Sequence, residues 1–147
     1  MFCNQSVLFC EHVHCSVISV FTKLALSPEC RAELYIPFND GEARDESGNN
    51  NFVQNDGVKV SGGVGYFDGS AVLRVPRFSN SDYGDVLLVR LRYKQDTAGT
   101  TSSSQALVAN GDCLKPSSLY LAADHQGVHF GMRTSTGQSP TSSSRSW

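Results

Sequence analysis

Three groups of side chains in this chain have types and spacings that could do chemistry. The densest is Cys10-Glu11-His12-Val13-His14-Cys15, two thiols enclosing two imidazoles. Thiolate and imidazole are zinc ligands, but the spacing matches no common structural zinc pattern. Four ligands within six residues would also strain a tetrahedron. The second group is oxygen-rich. Asp40, Asp45, Asn49 and Asn50 lie in one polar loop, Asn39 to Asn51. Their carboxylate and amide oxygens suit a hard cation, so Asp40, Asp45 and Asn49 are candidate calcium ligands. Asp and Asn also build turns with no ion, and the loop lacks the regular alternation of a calcium loop. The third group is cationic. Arg90, Arg92 and Lys94 alternate along one strand-like run and share a face. Such a stripe could meet a sulfated glycan or another acidic polymer. On a solvated sheet the same stripe discourages aggregation between strands.

Catalytic constellations are missing from the sequence. It has no Gly-x-Ser-x-Gly elbow, no His-Glu-x-x-His and no phosphate-cradling loop. A sandwich glycoside hydrolase needs two carboxyls flanking one bond, placed on one strand face. The acidic cluster Glu42, Asp45 and Glu46 falls in a glycine-bearing loop instead. His129 is at an outward strand position and His125 in a turn, both read as surface residues. The expectation is a protein without enzymatic activity or cofactor, calcium apart.

The elements that must position these residues are strands. From Cys30 onward, strand-like runs recur every ten to fifteen residues, separated by Gly, Asn, Asp and Ser. They include Leu34–Phe38, Val58–Val60, Val64–Phe67, Ala71–Val75, Val86–Lys94, Gln105–Asn110, Ser118–Ala123 and Val128–Met132. Asp68-Gly69 reads as a hairpin turn that would pair Phe67 with Leu73. In Val86–Lys94, residues Leu87, Val89, Leu91 and Tyr93 share one face, the pattern of a half-buried antiparallel strand. Residues 134–146 read as loop. No stretch after Cys30 keeps a helical apolar period. About eight short strands with turn-forming breaks indicate an all-β sandwich or jelly roll.

The chain has 147 residues, enough for one domain with a core. A net charge of −2 argues against a nucleic-acid partner. No run of about 18 apolar residues predicts a membrane-spanning helix. Residues 1–29 stand apart. They contain two apolar runs, but Glu11, His12 and His14 interrupt them and no basic residue precedes Lys23. They read as a poorly formed signal-like leader or as a segment preceding the domain.

Several segments resemble a known family. Cys30-Arg31-Ala32-Glu33-Leu34-Tyr35-Ile36-Pro37-Phe38 followed by Asp45-Glu46-Ser47-Gly48-Asn49-Asn50 resembles the opening of a laminin-G-like domain. Gly65-Tyr66-Phe67-Asp68-Gly69, leading to a strand that stops at Pro76, resembles that family's next landmark. Arg77-Phe78-Ser79-Asn80, Tyr83-Gly84 and Gln105 to Cys113 are similar to the laminin-G-like domains of mollusc shell-matrix proteins.

The resemblance covers residues 30–147. It implies a concanavalin-like antiparallel jelly-roll sandwich, secreted into extracellular matrix, that binds protein or polysaccharide and lacks catalytic residues. It implies neither a membrane nor a nucleic-acid partner. A calcium-dependent lectin-like domain using the Asp40–Asn50 loop is the alternative. The resemblance also implies a Cys30–Cys113 disulfide, which an oxidising compartment permits. Closing so long a loop is worth about 4–5 kcal/mol in the chain-entropy account. In this family the strand after a Ser/Thr-rich loop often opens on Trp, and here Trp147 is the last residue. The expectation is therefore a domain truncated at its C-terminus, with part of its inner faces uncovered.

Overall fold

The computed structural model describes residues 7–9, 13–23, 31–79, 86–95, 105–111, 117–124, 127–134 and 137–141. Within them the chain is all-β, with two single-turn 3-10 segments, Asn39–Gly41 and Pro76–Phe78. The strands are β1 (Val7–Phe9), β2 (Val13–Lys23), β3 (Arg31–Ile36), β4 (Gln54–Asp56), β5 (Lys59–Ser61) and β6 (Val64–Phe67). They continue with β7 (Val72–Arg74), β8 (Val86–Gln95), β9 (Gln105–Ala109), β10 (Leu119–Asp124), β11 (Gly127–Thr134) and β12 (Gly137–Thr141).

All pairings between these strands are antiparallel, and they form two sheets. One runs β12-β11-β10-β9-β1-β7-β4. The other is built around β2. Residues 18–22 of β2 pair with β3 and also with β8, so β3 and β8 must occupy opposite edges of β2. The start of β2 pairs with β6, which in turn pairs with β5. Both β1 and β2 come from residues 1–29, the stretch that the sequence sets apart. The run Val17-Ile18-Ser19-Val20-Phe21 suits this place. β-Branched and aromatic residues fit a pleated surface, and Ile18 and Val20 are buried against the core.

One apolar cluster draws on both sheets. Ile18, Leu34 and Ile36 come from the five-stranded sheet, and Leu73, Leu107 and Ala123 from the seven-stranded one. The alternation read along β8 is present. Leu87, Val89, Leu91 and Tyr93 pack on this cluster, while Leu88, Arg90, Arg92 and Lys94 are exposed. In β11 the core-side row is less covered. Phe130 and Met132 are 38% and 44% exposed although their partners Leu121 and Leu119 face the core.

Two local expectations are corrected. Phe67 and Leu73 do not sit across a hairpin, because β6 belongs to the five-stranded sheet and β7 to the seven-stranded one. Asp68 explains the difference. Its Oδ1 accepts from the Ser70 amide at 3.0 Å, the Ser70 hydroxyl at 2.8 Å and the Ala71 amide at 3.0 Å. This Asx-type turn carries the chain from one sheet to the other, helped by Gly69 at φ 91°. Phe67 and Leu73 then meet the same core from opposite sides. The Ser/Thr-rich tail is not all loop either, since β12 pairs with β11 from Phe130↔Thr141 to Thr134↔Gly137.

Candidate functional site

The polar loop after β3 works as a clasp on the edge of that strand. An edge strand presents unpaired N–H and C=O groups that need partners. On β3 the loop supplies them. Tyr35 N–H donates to Asp45 Oδ1 at 3.1 Å, and the Tyr35 carbonyl accepts from the Glu46 amide at 2.7 Å. The Glu33 carbonyl accepts from Asn51 Nδ2 at 2.6 Å and from Asn49 Nδ2 at 3.2 Å. The Ala32 carbonyl accepts from Asn49 Nδ2 at 2.8 Å. Asp45 holds the loop's own shape as well. It accepts from the Ser47 amide and hydroxyl, both at 2.9 Å, and from the Asn51 amide and side chain at 2.9 and 2.8 Å. Partial burial raises the affinity of the Asp45 carboxyl for its proton. The hydrogen bonds from Asn51, Ser47 and Tyr35 outweigh that and hold its pKa below the ordinary 3.8.

This arrangement accounts for the candidate calcium ligands in protein terms. Asp45 spends both oxygens on the clasp. Asn49 turns its one carbonyl oxygen to the Arg31 guanidinium at 2.6 Å. Asp40 pairs with Arg44 at 2.9 Å on the exposed surface. Two of these three candidates thus already face a cationic side chain. Among the described residues no three His, Cys, Asp or Glu side chains converge in a way that could hold a metal. Of the thiol and imidazole group, Cys10 and His12 lie outside the described residues, as do Cys30 and Cys113 of the implied disulfide.

The outer face of the five-stranded sheet is different. Arg90, Arg92 and Lys94 are exposed on β8, an edge strand that pairs only with β2 among the described strands. None of the three has an acidic partner among the described residues. The register adds a residue that the sequence analysis did not single out. Lys59 of β5 opposes Tyr66, Tyr66 opposes His14, and His14 opposes Lys94. Directly opposed residues share a face, so exposed Lys59 joins the same surface across four strands. Only the pairing order of β5, β6, β2 and β8 reveals this, because Lys59 and Lys94 are far apart in sequence.

Arg77 and Arg74 are occupied elsewhere. Arg77 bridges Asn51 Oδ1 and Glu33 Oε2, each at 3.1 Å, and so locks the clasp. Arg74 pairs with Asp56 on the seven-stranded sheet. On that sheet the His129 Nε2 lies 2.8 Å from Asp124 Oδ2. A carboxylate and imidazole are two parts of a hydrolytic triad, but no nucleophile hydrogen-bonds to this imidazole among the described residues. No family model, curated protein or solved structure matches the chain.

Proposed function

We propose that this protein is a non-catalytic module of extracellular matrix, secreted, that binds an acidic matrix polymer through the outer face of its five-stranded sheet. Its two antiparallel sheets around a shared core suit the laminin-G-like jelly-roll sandwich that the sequence motifs resemble. The matrix of a mineralised shell is the setting that resemblance favours. The observation that carries the reading is the row Arg90, Arg92 and Lys94, exposed and without a described acidic partner. A flat cationic face attracts polyanions, and it does so without a groove or pocket. The polymer is an acidic polysaccharide or an acidic protein and not a nucleic acid. Nucleic-acid-binding domains typically have a pI above about 9, whereas the sequence pI here is about 6.0.

The test is titration of the protein with chondroitin sulfate and with polyglutamate, for the native chain and for Arg90→Gln/Arg92→Gln/Lys94→Gln. The native chain is expected to bind at least one of the two, more weakly as salt rises. Losing three exposed ion pairs at about 0.5 kcal/mol each weakens binding roughly tenfold. Unchanged affinity in the triple variant would contradict the reading. So would tight binding that ignores salt.

A further inference from the structure

We infer that the acidic partner is a polypeptide segment that adds as a new strand to the edge of β8 that no described strand occupies, along Leu87 to Arg92. This rests on the reading of the five-stranded sheet as the binding surface and deepens it. Three observations meet at this edge. First, β8 pairs residue by residue with β2 on one side, from Val13↔Gln95 to Lys23↔Val86, and with no other described strand. In an antiparallel strand alternate residues direct N–H and C=O away from the existing partner, so Leu87–Arg92 offers a ladder about 20 Å long.

Second, the core is thin beneath that edge. Ile18 and Val20 of β2 are buried at 0% and 9% exposure. Their partners Leu91 and Val89, and Leu87 beyond them, are only partly buried. An added strand with apolar residues on its inner side would cover all three. Third, the outward row of β8 is Leu88, Arg90, Arg92 and Lys94. Cross-strand pairs of opposite charge stabilise a ladder and like charges oppose it. The strand that fits therefore alternates apolar residues with Glu or Asp. A second copy of the chain docking through its own β8 would set arginine and lysine against arginine and lysine, so the same charges that select an acidic strand reject self-pairing.

The probe is the blocked peptide acetyl-Val-Glu-Val-Glu-Val-Glu-Val-amide, added to the full chain and read by amide hydrogen exchange. The controls are a peptide of the same composition with its Val and Glu in blocks, and chondroitin sulfate. The alternating peptide is expected to slow exchange at alternate amides of Leu87–Arg92 about tenfold when present at ten times its Kd. Neither control should do so. In Arg90→Glu/Arg92→Glu/Lys94→Glu the preference should pass to acetyl-Val-Lys-Val-Lys-Val-Lys-Val-amide. Three results would overturn the inference: no exchange effect from the alternating peptide, protection equal to that from the block peptide, or amides already protected in the peptide-free chain. If the peptide has no effect while chondroitin sulfate still binds in a salt-dependent way, strand addition fails and the polyanion-binding reading stands. If no polyanion binds, both fail.

Discussion

Phe38→Ala is expected to lower the unfolding free energy by about 3–5 kcal/mol, the usual cost of deleting a buried aromatic ring. Phe38 has no exposed surface. Its ring stands edge-on to Phe67, with centroids 6.5 Å apart and planes at 89°. Edge-to-face contact adds to the burial term. The backbone at Phe38 is left-handed, φ 58°, which costs a bulky L-residue on the order of 1–3 kcal/mol. The chain tolerates this because the strained residue turns β3 into the loop while its ring stays in the core. Gly65 provides the space, since a Cβ there would lie 2.6 Å from Phe38 Cε1. Gly65→Ala alone is expected to destabilise by about 1–3 kcal/mol through overpacking. The double variant should lose less than the sum, because alanine at 65 fills part of the cavity left at 38. Urea unfolding of the three variants measures this, and strict additivity would show that the two residues do not share the contact.

The second large effect belongs to Asp45. Asp45→Ala removes the acceptor for five hydrogen bonds, three from backbone amides and two from side chains. A loss of about 2–4 kcal/mol is expected, below the sum of the bonds because the half-buried donors regain water. Hydrogen exchange should localise the damage, with protection lost at Tyr35 and along the loop to Asn51.

The acid limb of stability follows from the same carboxylate. Its folded pKa lies below the ordinary value, so it stabilises the fold above about pH 4. That contribution disappears as the pH falls through the lower, folded pKa. Asp68 is lowered in the same direction by its bonds to Ser70 and Ala71 and acts in the same window. Asp45→Asn should therefore be less stable than the native chain at pH 7 and closer to it at pH 2. A difference that stays constant with pH would contradict the role given to the charged carboxylate.

Much of the fold is legible in local pattern. The period-two alternation of Leu87 to Lys94 specifies both faces of β8, because a single-residue slip would put arginine into the core. The break after Phe38 is legible as well, since a run of Asn, Asp, Gly and Ser cannot continue a buried strand. What escapes local pattern is partnership. Asp68-Gly69 has the composition of a hairpin turn, yet the Asx geometry of Asp68 sends the chain to the other sheet. Val7–Phe9 and Val13–Lys23 carry good strand composition, but residues such as Glu11 and His12 between them make the stretch read as an interrupted leader.

The same limit applies to the site. Asp40, Asp45 and Asn49 have the chemistry of calcium ligands, and sequence cannot show that the backbone of β3 and the guanidinium groups of Arg31 and Arg44 engage their oxygens. Arg90, Arg92 and Lys94 were visible because one strand carries them. Lys59 was not, because strand order alone places it beside them.

The most direct test of the functional account is an amide chemical-shift map of the native chain titrated with polyglutamate and with chondroitin sulfate, with and without calcium. The account predicts that shifts concentrate on Leu88–Lys94 and Lys59, fade with added salt, and do not depend on calcium. Shifts centred on Asp40–Asn51 that require calcium would contradict it and support a lectin-like site in that loop.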